Sequence, residues 1–188
     1  MATQSKTTGL TYGDLATFPD DNLRREIIDG ELLVTPAPGR RHQEIVLELG
    51  HVLLHYSKVH GGEALVAPVD VRLSDVDVVQ PDLVFIRADR IEDLGEQSFV
   101  GVPPDLVIEV SSATTRRDDL TRKKDLYKRY AVPEYWFVDL DADRIEIYRF
   151  VEGRDGQPEL FGRGETVSTD FLPGLTVRVD EILGLAES

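Results

Sequence analysis

Apolar positions recur along this chain with two different periods, and the switches between them divide it into elements. Ile45, Val46, Leu49, Val52, Leu53 and Tyr56 stand at offsets 0, 1, 4, 7, 8 and 11, one face of an amphipathic helix from His42 to about Ser57. Gly61-Gly62 ends it. A second helix is predicted from a Thr114 or Thr115 cap to about Tyr130, where Pro133 stops it. A short helical turn is predicted at Thr11–Leu15, closed by Pro19.

Elsewhere the pattern is that of strands. Arg25–Ile28 and Glu31–Val34 flank Asp29-Gly30, a dipeptide that accepts the positive φ values of a two-residue hairpin turn. Strand-like pieces follow at Ala64–Leu73, Leu83–Ile86 and Leu106–Val110. The last two are apolar with little alternation, as in interior strands covered on both faces. Glu134–Leu140 and Arg144–Phe150 alternate with period 2 and pair over Asp141-Ala142-Asp143. Glu152–Gly164, rich in glycine, reads as a surface loop, and the remainder as a short strand and a closing helical turn. The string predicts a mixed α/β domain.

Composition narrows the class. At 188 residues, 41% of them apolar and 30% charged, the chain reads as one folded domain over 11–188 behind a loose tail at 1–10. The formal charge of −14 opposes nucleic-acid binding over the whole surface. With no cysteine, disulfides, thiolate zinc sites and a cysteine nucleophile are excluded, so a metal has to be held by oxygen or imidazole. Met1–Leu10 is not a secretory signal, and no run of about 18 apolar residues suits a membrane span. The expected compartment is the cytoplasm.

Two interior strands carry carboxylates that a purely structural strand does not need. Asp82 follows Pro81 at the mouth of Leu83–Ile86, and Glu109 lies inside Leu106–Val110. An unpaired carboxylate there costs several kcal/mol. A divalent ion, Mg²⁺ or Mn²⁺, satisfies both; pairing of Glu109 with an arginine at a sheet edge is the plain alternative. Asp105 is four residues from Glu109, about 13 Å along a strand, and cannot share its ion. On the second helix Leu120, Leu126, Tyr127 and Tyr130 define the apolar face with Lys123 at its centre. Lys123 either points at the carboxylates or snorkels past Tyr127 to solvent. From Thr114 to Tyr130 seven basic residues oppose three acidic ones, a local +4 against −18 elsewhere. Such a run is a phosphate-facing patch or simply a solvated face. His42, on the apolar face of the first helix, reads as a core histidine or a ligand.

These residues together resemble a known family. Arg25-Glu26-Ile27-Ile28-Asp29-Gly30-Glu31-Leu32, His42, Gln80-Pro81-Asp82-Leu83 and Pro104-Asp105-Leu106-Val107-Ile108-Glu109-Val110-Ser111-Ser112 look like the Uma-type (Uma two) restriction endonucleases. So do Asp119, Lys123 and Tyr127 at intervals of four, and Val132-Pro133-Glu134-Tyr135-Trp136. The resemblance implies the restriction-endonuclease-like fold of the PD-(D/E)XK nucleases, a central mixed sheet flanked by helices. It also implies hydrolysis of DNA phosphodiester bonds with Mg²⁺ or Mn²⁺. Asp82 and Glu109 then hold the metal, Lys123 completes the catalytic set, and Glu26 and His42 are possible supporting residues. Ser111 stands where the wider superfamily has a lysine two residues after the glutamate; here the resemblance supplies that lysine from the helix. DNA binding is expected to be weak without metal, and a homodimer is expected by analogy. The competing expectation is a catalytically weak or inactive nuclease-fold module acting in binding or regulation as a homodimer, and a third is a hydrolase of another phosphodiester or nucleotide.

Overall fold

The computed structural model describes residues 9–19, 21, 23–95, 97–112, 115–151, 154–155 and 157–184. Helix α1 (Tyr12–Leu15) leads into strands β1 (Arg24–Ile28) and β2 (Glu31–Thr35), joined through Asp29 and Gly30 at φ 53° and 71°. The expected hairpin turn is therefore formed. Helix α2 (Arg40–His60) is a turn longer than the periodicity predicted, because polar residues continue it at both ends. The predicted strand Ala64–Leu73 is two strands, β3 (Glu63–Val66) and β4 (Val71–Arg72), in different sheets. Pro68 lies between them and has no N–H for a ladder. Strand β5 (Val78–Val79) pairs with β1 and β4, and β6 (Leu83–Ile86) and β7 (Leu106–Val110) are buried throughout. A 3₁₀ segment, Ala88–Leu94, lies between these two.

The second helix is composite: α3 (Arg116–Asp118), a π-helical turn Asp119–Lys123, and α4 (Lys124–Arg129). Its start is held by Ser112, whose Oγ accepts the Thr115 N–H at 3.1 Å. Thr115 stands at the expected N-cap position but makes no side-chain cap hydrogen bond, and Thr114 lies outside the described residues. Strands β8 (Glu134–Asp139) and β9 (Arg144–Val151) form the predicted pair. The segment read as a surface loop instead contributes β10 (Arg154–Asp155) and β11 (Glu159–Gly162), both antiparallel to β9. Pairing against the edge of β9 outweighs a glycine-rich composition there. Strands β12 (Thr166–Ser168) and β13 (Thr176–Arg178) form a ribbon, and α5 (Val179–Leu183) follows. Residues 1–8 of the expected tail lie outside the described residues, while Leu10 N–H donates to Gly30 O at 3.0 Å. Its proposed boundary at residue 10 thus cuts a bonded segment.

The main sheet runs β3-β6-β7-β8-β9, with β7 and β8 parallel and the other neighbours antiparallel. This is the predicted mixed sheet. Alternation sorts its side chains onto two faces. Phe85, Ile108, Trp136 and Ile147 pack with Leu49 and Leu53 of α2 and Ile182 of α5. Val84, Val107, Tyr135 and Phe137 pack with Leu126 and Tyr127 of α4 and with Ile28 and Val79 of the small sheet β2-β1-β5-β4. Glu109 has the parity of Val107, so it faces the second layer, between α4 and the small sheet. Among the described residues no helix is long and apolar enough to cross a membrane.

Candidate active site

Strands β6 and β7 are in register as Leu83↔Ile108, Val84↔Val107 and Phe85↔Leu106. One step further along that register, Asp82 stands opposite Glu109. Directly opposed residues place their side chains on one face with Cβ atoms about 5 Å apart. Asp82 is 3% exposed and Glu109 1%. The register thus brings together the two carboxylates picked out from the chain. Glu109 lies on a central strand rather than at a sheet edge, and its cation is Lys123 rather than an arginine.

Asp82 is held by three donors. Arg24 Nη1 donates to Oδ1 at 3.0 Å, and Oδ2 accepts from Val110 N–H at 2.8 Å and from His42 Nε2 at 3.1 Å. Burial pushes this carboxyl up, but the His42 bond and charge, Arg24 and the Val110 amide outweigh it and leave its pKa lowered. Glu109 Oε1 accepts from Lys123 Nζ at 2.9 Å and Tyr127 OH at 2.7 Å. Burial dominates at Glu109 and pushes it up to about 8; Lys123 pulls it down, while Asp119, Asp82 and Glu26 add to the rise.

Lys123 is 1% exposed and points inward. Its Nζ lies 2.9 Å from Glu26 Oε1, 2.9 Å from Glu109 Oε1 and 3.6 Å from Asp119 Oδ1. Burial disfavours the ammonium, yet these three carboxylates outweigh it and raise its pKa. Both Asp119 and Lys123 sit on the π turn, a distortion that recurs at functional sites. Glu26 reaches the cluster from β1, where Oε1 also accepts Gln80 N–H at 2.8 Å. The expected supporting residues Glu26 and His42 therefore touch the lysine and the aspartate respectively.

Two participants, Arg24 and Asp119, were not singled out as chemistry from the chain alone. The signal for Arg24 was its spacing of two from Glu26, which puts both on one face of β1. Asp119 is four residues from Lys123. Asp105 is structural, accepting Arg87 N–H and Arg90 Nη1, each at 2.8 Å. Ser111, in the place of the superfamily lysine, accepts Leu140 N–H at 2.9 Å. Much of the basic run is also engaged within the fold. Arg116 pairs with Asp139 at 2.5 Å and Arg129 with Asp29 at 2.5 Å; Arg122 meets Glu31 at 3.4 Å, and Lys124 lies over the Tyr148 ring.

Four buried carboxylates, Glu26, Asp82, Glu109 and Asp119, thus surround two cations, Arg24 and Lys123, a formal excess of two negative charges. Among the described residues, Glu26 Oε2 and both oxygens of Asp119 are buried without a hydrogen-bond partner. A divalent cation fits this deficit in sign and size. Among the described residues no three His, Asp or Glu side chains form a ready ligand set. The donor chemistry accordingly suits an ion held by one or two carboxylates that keeps several waters, the habit of Mg²⁺.

No curated protein matches the chain in sequence. The crystal structure of a putative nuclease belonging to DUF820 from Anabaena variabilis matches it with a TM-score of 0.79 and 19% identity, over 93% of this chain and 98% of that one. This establishes a nuclease-like mixed α/β fold. The Uma2 family, described as “Putative restriction endonuclease”, matches residues 12–180. With that match spanning all of the elements that build the site, the chain belongs to the Uma2 family.

Proposed function

We propose that this protein is a metal-dependent endonuclease that hydrolyses DNA phosphodiester bonds. Asp82 and Glu109 would hold a Mg²⁺ or Mn²⁺ ion, with Lys123 as the third catalytic residue. The observation that carries the reading is the cluster of four buried carboxylates against two cations, built around a pair opposed across β6 and β7. A bound divalent ion supplies Lewis acidity, making a coordinated water acidic and offsetting charge on the phosphoryl oxygens.

The protein's own groups do the rest. Arg24, His42 and the Val110 amide keep Asp82 ionised and oriented. Tyr127 and Lys123 anchor the Glu109 carboxylate through one oxygen. Lys123, charged throughout the neutral range, places positive charge near where negative charge builds up on the phosphoryl oxygens. In the reaction the water oxygen bonds to phosphorus, one P–O ester bond breaks, and the water's proton ends on the departing oxygen. Binding to DNA is weak without metal, since the chain carries −14 and repels phosphate on average.

One observation favours a second reading: Asp82 and Glu109 already have Arg24 and Lys123 as partners, as in a nuclease-fold module that binds or regulates as a homodimer. Supercoiled plasmid incubated with the protein and Mg²⁺ or Mn²⁺, beside Asp82→Ala, separates the two. Nicking by the wild type and none by the variant supports the nuclease. Equal nicking, or no heat of Mn²⁺ binding at millimolar concentration, refutes it.

A further inference from the structure

The first turn of α2 is built in an unusual way for a helix of 21 residues. It holds Arg40, Arg41 and His42 and no acid, and its N-cap, Gly39, offers no side-chain hydrogen bond. Basic residues at a helix start oppose the macrodipole, and the amides of the first turn have no acceptor inside the helix. Glycine is not required by the backbone there. Gly39 has φ −74°, and a Cβ built on it meets nothing within 4 Å. A capping Asp, Asn or Ser would fit and would stabilise the helix. The position nonetheless carries no acceptor.

This helix start opens on a cleft of about 210 Å³ lined by Arg24, Pro36, Gly39, His42, Ser112 and Thr115. His42 is 6% exposed, and while its Nε2 is bound to Asp82, its Nδ1 is buried with no partner among the described residues; Arg24 Nε is likewise buried and unpartnered among them. Arg40 and Arg41 are turned away, toward Glu44 and Asp143. Uncapped helix amides, an unpartnered guanidinium N–H and an imidazole nitrogen that donates once the ring carries its second proton therefore belong to residues lining one cleft beside Asp82. That is the chemistry of an anion site. Its volume is below the range of whole-ligand pockets, which suits a single phosphate group.

We infer that this cleft seats a phosphate of the substrate strand against the open N-terminus of α2, gripped by Arg24 and flanked by His42. The inference rests on the nuclease reading and identifies where the strand is held. It also locates the attraction for DNA in an acidic protein whose basic helix is largely engaged by its own fold.

The test uses ¹⁵N-labelled full-length protein in EDTA, titrated with inorganic phosphate, thymidine 5′-monophosphate and an oligothymidylate without terminal phosphates. The amide signals of Arg40, Arg41 and His42 should move with each, and at the lowest concentration with the oligothymidylate. Arg24→Gln should weaken phosphate binding about tenfold. Since Arg24 also neutralises Asp82, a second variant guards against misfolding: Gly39→Asp supplies its own cap, so it should raise the melting temperature while weakening phosphate binding about tenfold or more. No movement of those amides, unchanged phosphate binding in Gly39→Asp, or tighter binding of the mononucleotide than of the strand overturns the proposal. Metal and turnover are absent from these titrations, so their failure is separate from a failure of Mn²⁺ binding or of nicking.

Discussion

Replacing Glu109 with glutamine separates a metal-holding carboxylate from a structural ion pair, because the two roles predict opposite signs. The amide oxygen can still accept from Tyr127 OH and Lys123 Nζ, now 2.7 and 2.9 Å from Oε1, so shape and hydrogen bonds survive and only the charge is lost. The carboxyl titrates near 4.5 when free and is pushed up to about 8 by burial in the fold. The folded protein therefore binds the extra proton more tightly, and stability falls as pH rises through that interval. At pH 7 the cost of the carboxyl is at most about 3 kcal/mol, some 1.4 kcal/mol for each pH unit above 4.5. In EDTA, Glu109→Gln should equal the wild type near pH 4 and exceed it by about 1–3 kcal/mol at pH 7. Asp119, also raised by burial, repels Glu109 and titrates with it, so the difference is read over the whole pH series rather than at one pH. Urea unfolding at pH 4 to 8 measures it, and Mn²⁺ calorimetry should show affinity reduced at least tenfold. A variant less stable than wild type by more than about 1 kcal/mol at pH 7 would refute the reasoning and make Glu109 the partner of Lys123 for the fold's sake.

Three other perturbations probe separate parts of the molecule. Lys123→Met keeps the bulk but strands three buried carboxylates, so the metal-free protein should lose about 3–5 kcal/mol in chemical denaturation; a loss under 1 kcal/mol would mean the ammonium reaches solvent. Val107→Ala, at a fully buried position of the central strand, should cost about 2–4 kcal/mol by leaving a cavity between the sheet and α4, again by urea unfolding. Gly30→Ala should lower the melting temperature, since φ is +71° and the new Cβ meets Gly9 backbone at 3.2 Å; an unchanged value would show that the hairpin tolerates a side chain there.

The secondary elements were largely legible in the chain because their signals are local. The Asp29-Gly30 turn, the α2 face and the unalternating strands β6 and β7 each depend on residues a few positions apart. The misreadings share a cause. Strand β11 forms because β9 presents an edge to it, and Ala64–Leu73 divides because its two ends belong to different sheets; neither condition is written within the segment itself. The π turn at Asp119–Lys123 is likewise imposed by what lies inside, where Tyr127 and Lys123 must both reach Glu109.

For the site, the division falls between residue types and residue distances. Asp82, Glu109 and Lys123 stood out from the chain by itself, because a charge in an apolar strand or on an apolar helix face carries a desolvation cost that demands an explanation. That Asp82 opposes Glu109 follows from the register of β6 and β7, which the chain constrains only through alternation. Arg24 and Glu26 enter from the small sheet, and His42 from the start of α2. Their roles were decided by tertiary packing alone, since the balance of four carboxylates against two cations exists only once four separate parts of the chain have excluded water from the same volume.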